Sequence, residues 1–232
     1  MFVLIFYHNL LSDTIEKEGI DFMKRILPKI KKQLEPYTHQ DDSIDILCDV
    51  EVYNKTFDAS THFIQFDGVI FHHCHFIHIN FEQLDMMDCR FVHCNFEQCQ
   101  MEQSSIRRCE FIGCRQSGIQ LYDSSLKDVL FQECQLSYSD FSKCKCQQVL
   151  FQKCVAPNIN FFHVTLKQCE FTQCDFSQAD FSETTLKGID LSSCDLHQAR
   201  LQMEQLKGCT ISLSQGIALL QSYGIQVKES YE

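Results

Sequence analysis

The chain has 232 residues, 44% of them hydrophobic, with 20 Phe, no Trp and a formal net charge of −11 at pH 7. That length allows one elongated domain with terminal additions, and the acidic balance disfavours general binding to nucleic acid or to an anionic membrane. No stretch approaches the roughly eighteen apolar residues of a membrane span, and Met1 to Tyr7 lacks a basic start and a cleavage signal, so a cytoplasmic protein is expected.

Residues 1–43 read as an amphipathic helical extension followed by a linker. Asp13-x-x-Glu16 is a capping-box-like start, and Ile15, Phe22, Met23, Ile26, Ile30 and Leu34 recur at helical spacing, with Pro28 expected to kink the helix. The other face carries Lys24, Arg25, Lys29, Lys31 and Lys32. The expected arrangement docks the apolar face on the start of the next domain and leaves the basic face to solvent. Residues 37–43 read as the linker, and Ile44 to Tyr53 as a strand entering an irregular region near Phe57.

Residues 44–211 are dominated by a five-residue period. Stepping by five from Phe66 to Ile211 gives 30 positions, of which 27 are Phe, Leu, Met or Ile; the exceptions are Gln116, Cys146 and Ala156. Two residues earlier in each unit the occupant is small or β-branched with few exceptions, and 13 of the 15 cysteines sit there. Such a period fits neither an α-helix nor a sustained strand alternation. It fits a short bridge with two inward side chains followed by a corner, so that four units close a square coil of twenty residues. Coils then stack at strand spacing, roughly 4.8 Å apart, and each buries its inward residues only against its neighbours.

The twenty-residue period gives columns. Phe71, Phe91, Phe111, Phe131, Phe151 and Phe171 form one, continued by Leu191 and Ile211; Cys74, Cys94, Cys114, Cys134, Cys154, Cys174 and Cys194 form another. Rings should stack in offset fashion, with the thiols stacked beside them as small apolar groups in a reducing compartment. In mid-column, Cys134→Ser is expected to bury a hydroxyl where a soft apolar group was.

Residues 212–232 break the repeat. Ser212 or Ser214 is placed to cap a short helix carrying Ile217, Leu220 and Tyr223, Gly224 to end it, and Ile225 to Val227 to form a strand.

Chemistry is sparse. There is no nucleophile elbow, phosphate-cradling glycine loop, zinc-protease helix or EF-hand spacing, so no enzyme activity and no cofactor are expected. Carboxylates that precede the central apolar residue, among them Asp140, Asp175, Asp180, Asp190 and Asp195, are placed to bond nearby backbone. His73 and His93, twenty apart and therefore stacked on the outside, are a weak candidate metal pair without an obvious third ligand; solvated corners are the better reading.

The repeat resembles the pentapeptide-repeat family, whose consensus is small-polar-(Leu/Phe)-polar-polar, over residues 64 to 213. That resemblance implies an all-β fold, a right-handed quadrilateral parallel β-helix of about seven to eight coils with an N-terminal helical extension and a C-terminal capping helix. The helix-Gly-Ile-x-Val ending looks like that of Qnr- and MfpA-type members. The resemblance then implies a homodimer joined through Ile217, Leu220, Tyr223, Ile225 and Val227. It also implies a DNA-mimicking modulator of the type II topoisomerases DNA gyrase and topoisomerase IV, acting by quinolone protection. An acidic face of Glu170, Asp175, Asp180, Glu183, Asp190 and Asp195 would carry that contact, without direct nucleic-acid or membrane binding. Charge is uneven, however: between Arg107 and Lys167 lie 8 bases and 5 acids. The unbroken register leaves no room for the loop insertions of Qnr proteins. A generic interaction scaffold without a topoisomerase role is the alternative.

Overall fold

Residues twenty apart touch, and residues five apart face different sides of a square. The computed structural model describes residues 25–37, 46–81 and 83–228. On the first side, centred on Phe66, parallel pairing stacks Ile46–Cys48, Gln65–Asp67, Asp85–Met87, Ser105–Arg107, the first parts of Ser125–Gln132 and Lys145–Gln152, and Thr165–Lys167. On the second, centred on Phe71, Val50–Tyr53, Ile70–His72, Arg90–Val92, Glu110–Ile112, the later parts of the two long strands, and Glu170–Thr172 stack in the same way. Single bridges such as His75↔Asn95 and Asn80↔Gln100 continue the third and fourth sides, and the pairing reaches Asp190↔Thr210. This is the quadrilateral parallel β-solenoid that the period predicts. Only the entry coil departs from twenty: Leu47 pairs with Phe66 and Val52 with Phe71, nineteen apart.

The corners explain how so regular a β-fold manages with 8 Gly. Left-handed backbone recurs two residues after the central position, and 24 of the described residues that adopt it are not glycine, as at His73, Asp88 and Gln148. Each such residue costs about 1–2 kcal/mol outside a fixed frame. Ladder hydrogen bonds hold it there, as when His73 N–H donates to Val92 O at 2.9 Å and Asp88 N–H to Arg107 O at 3.1 Å.

Inside, the phenylalanine column is continuous. Neighbouring rings from Phe71 to Phe151 lie 4.8–5.0 Å apart and 5–13° from parallel. Beside it, from Cys94 to Cys194, each thiol of the column donates to the carbonyl of the phenylalanine one coil back, as from Cys114 to Phe91 O and Cys134 to Phe111 O, both 3.3 Å. Burial pushes the Cys99 thiol up to about 11 and Cys144 to about 12, which keeps both protonated and unreactive at neutral pH. The same site accepts hydroxyls: Ser124 and Ser139 donate to Met101 O and Gln116 O at 3.0 and 2.9 Å. The hydroxyl that Cys134→Ser buries would likewise have Phe111 O within reach as an acceptor.

Gln116 is the core's misfit. It is fully buried at a central position, and neither its amide nitrogen nor its amide oxygen has a hydrogen-bond partner. An unpartnered buried amide costs about 1–3 kcal/mol, whereas an apolar side chain of the same shape costs nothing in desolvation. Gln116→Leu should therefore raise stability by about 1–2 kcal/mol; an unchanged or lower melting temperature would show that the amide is satisfied in solution.

The N-terminal segment corrects the sequence reading. Residues 13–24 of the expected helix lie outside the described residues, but 25–34 form no helix; they run extended along the corner between the first and second sides. Pro28 lacks an N–H and disfavours helical backbone at Leu27. The neighbouring N–H groups find acceptors on the solenoid: Ile26 donates to Asp128 Oδ1 at 2.9 Å and Lys29 to Asp88 Oδ1 at 2.8 Å. Three extended residues span about 9.3 Å and two coils about 9.6 Å, so this strap matches the repeat of the corner it follows. It ends at the open first coil, where Glu35–Pro36 pairs with Val50–Glu51 and Tyr37 packs edge-on against Phe57, ring centroids 6.2 Å apart.

At the other end Ser212 caps the helix Leu213–Ser222 through a reciprocal bond with Gln215. The Gln215 amide also donates to Leu191 O at 2.9 Å and Cys194 O at 2.6 Å, which ties the helix to the last coil. Gly224 ends the helix with φ at 77°. Ile225 to Val227 do not form the expected strand; they follow the helix as unpaired chain.

Candidate protein-binding surfaces

Three outer features carry the chemistry: the strap, the acidic last coils and a lysine row. Beneath the strap lies a buried ion cluster. Arg25 Nη2 meets Glu110 Oε1 at 2.6 Å, Arg90 Nε meets Glu110 Oε2 at 2.7 Å, and both the Arg25 and Glu110 side chains are under 10% exposed. Burial pushes the Glu110 carboxyl up, but Arg90 and Arg25 outweigh it and hold it below its ordinary range. Asp88 is treated alike: burial raises it, while Arg108 and the Lys29 N–H leave it lowered overall. Farther along, Lys31 meets Asp49 at 2.6 Å in a solvated pair of little energetic weight.

The six predicted acidic residues do not share a face. Glu170 and Asp190 stand on the second side, Asp175 and Asp195 on the third, and Asp180 on the fourth with Glu183 at its corner. Four of them serve the backbone: Asp175, Asp180, Asp190 and Asp195 accept the N–H groups of Ser177, Ser182, Ser192 and His197 at 2.8–2.9 Å. Asp180 also meets Arg200 at 3.2 Å. The last coils are thus ringed by carboxylates on three sides.

The first side carries what the sequence reading missed. Arg107, Lys127, Gln147 and Lys167 are in direct register, Lys187 and Lys207 continue the column by the same step of twenty, and Lys145 stands beside it. The five lysines are exposed, and none forms an ion pair among the described residues. The signal in the sequence is the same step of twenty that aligns the Phe and Cys columns.

The helix after the last coil has no buried residue; Ile217 and Leu220 are half-buried, while Leu213, Tyr223, Ile225 and Val227 are exposed. Tyr223 is tethered by its hydroxyl to Leu201 O at 3.0 Å. His73 and His93 do stack, with ring centroids 5.3 Å apart, and His93 lies over Gly113, where a Cβ would collide with its Nδ1. Among the described residues no group of three donors is placed to hold a metal. An open hollow of about 430 Å³ on the third side is lined by Ile77, His78, Asn95, Glu97, Gln98 and Ser117. Its carboxylate is already engaged by Arg115 at 3.0 Å.

Square coils, a left-handed corner every fifth residue and an in-register aromatic core define a pentapeptide-repeat solenoid. The family described as "Pentapeptide repeat region" matches residues 84–161 and 147–215, and "Pentapeptide repeats (8 copies)" matches 64–103. The chain belongs to the pentapeptide-repeat family. No curated protein matches it. Among solved structures it is similar to QnrB1, a plasmid-mediated fluoroquinolone resistance protein, at 20% identity over 81% of this chain and 94% of that one, TM-score 0.47. It is also similar to Rfr23 from the cyanobacterium Cyanothece 51142, at 13% identity over 53% and 91% of the two chains, TM-score 0.39. A third is HetL, involved in heterocyst differentiation regulation, from the cyanobacterium Nostoc sp. strain PCC 7120, at 13% identity over 72% and 89%, TM-score 0.26.

Proposed function

We propose that this chain is a non-enzymatic protein-binding solenoid of a reducing cytoplasm, which pairs with a second copy through its C-terminal end and presents its outer sides to a protein partner. The observation that carries this reading is the helix Leu213–Ser222, anchored by Gln215 yet followed by exposed Tyr223, Ile225 and Val227. Apolar side chains held at the end of a rigid rod are suited to a self-complementary contact. Light scattering should give a dimer for the full chain and a monomer for Leu220→Asp/Ile225→Asp, with the melting temperature little changed because these residues lie outside the solenoid core. A monomeric full chain at tens of micromolar removes the pairing.

A second, finer reading is that the partner is DNA gyrase or topoisomerase IV, as the Qnr- and MfpA-like ending implies. What favours it is the carboxylate ring on coils 170–195, which pairing at the C-terminus would bring to the middle of a dimer. Supercoiling assays with and without a quinolone decide it: unchanged activity and unchanged drug sensitivity at several-fold excess leave the scaffold reading alone.

A further inference from the structure

The strap shows what this solenoid's corner binds: extended polypeptide of complementary charge, running along the axis. Its basic residues, Arg25 and Lys31, lie against Glu110 and Asp49, while backbone N–H groups meet Asp88 and Asp128. Ile26 meets the corner at Asp128, and the corner runs on beyond it. It continues as Gln148, Gln168, Gly188 and Gly208, and here the neighbouring column is lysine. The charge that the corner offers is reversed.

We propose that this second half of the corner, with Lys127, Lys145, Lys167, Lys187 and Lys207, is a docking track for an extended acidic segment of a partner protein. This rests on the protein-binding reading and names the chemistry of one partner surface. Four coil steps from Lys127 to Lys207 cover about 19 Å, the length of roughly six extended residues. Carboxylates on alternate residues would face the lysines. Gly188 and Gly208 have no side chain to stand in the way, and a Cβ at Gly188 would meet nothing within 4 Å. A wider polyanion is disfavoured, because Glu170 and Asp190 stand on the adjoining side and the whole chain carries −11.

The test is fluorescence anisotropy of the full chain with a labelled, end-blocked Glu-Thr repeat peptide at low and at physiological salt. The expected result is salt-sensitive binding that weakens at least about tenfold in Lys167→Glu/Lys187→Glu/Lys207→Glu. Arg115→Glu/Lys153→Glu, on and beside the third side, should bind as the unaltered chain does, and both variants should keep the native melting temperature. No binding, or equal loss in both variants, overturns the track. So does a deoxythymidine oligonucleotide of equal length bound with the same lysine dependence, which would make it a nucleic-acid surface. Peptide binding that appears only after residues 1–24 are removed also overturns it, since the chain itself would then be the occupant. Each of these outcomes leaves the C-terminal pairing untouched, because that is read by light scattering on different residues.

Discussion

Glu110→Ala should lift the strap. The carboxylate joins Arg25 on the strap to Arg90 on the second side, and without it two guanidinium groups converge with no counter-charge in a nearly dry site. Removing one partner of a buried pair costs about 3–5 kcal/mol. Here the loss should sit near the lower end, about 3 kcal/mol, because Arg25 can regain water by leaving with the strap. Arg25→Ala should cost less, since Glu110 keeps Arg90. Thermal melts and timed trypsin digestion read the two effects together: the variant should melt earlier and be cut rapidly after Lys29, Lys31 and Lys32. Unchanged cleavage would mean that the cluster does not hold the strap.

Acid should do by titration what the substitution does by design. The folded state holds Glu110 below its ordinary 4.5 and Asp88 below 3.8, so each contributes stability that is fully present above those ordinary values. That contribution is lost as pH falls through the lower folded values. Strap release should therefore be confined to pH below about 4.5 and be largely missing from Glu110→Ala.

The strap was also the part of the fold least legible in the sequence. Ile26, Ile30 and Leu34 carry a helical period, and nothing local contradicts it except Pro28. The groups that decide against a helix are the carboxylates of Asp88 and Asp128, 59 and 102 residues away in the chain. The solenoid is the opposite case. Each inward side chain touches its own equivalent twenty residues on, so the contact is written in the sequence as a period. The same geometry explains the acidic face that did not form. Glu170, Asp175 and Asp180 are close in sequence, but a step of five turns a square corner and sends each to a different side. Lys167, Lys187 and Lys207 look scattered and share one side. Gln215 shows a third case: its Ser212-x-x-Gln215 pattern marks the helix start, while its contacts to Leu191 O and Cys194 O depend on where the last coil ends.

A cavity in the middle of the phenylalanine column should divide the rod. Phe131 is fully buried, stacked on Phe111 at 5.0 Å and on Phe151 at 4.8 Å, and met edge-on by Phe141 at 5.8 Å. Phe131→Ala should cost about 3–5 kcal/mol, from lost transfer energy and a hole that rigid neighbouring rungs cannot close. In a stacked solenoid that loss falls on nearest-neighbour interfaces, because each coil buries its inward residues only against the coils before and after it. The two halves are capped separately, one by the strap and Tyr37, the other by Gln215. Guanidinium unfolding followed by circular dichroism should therefore change from one transition to two, with a shallower apparent slope. Phe131→Leu, a residue that the same column tolerates at Leu191, should keep one transition and lose only about 1 kcal/mol. If Phe131→Ala instead unfolds in a single step at the native midpoint, the column is not what couples the coils, and the backbone ladders alone hold the rod together.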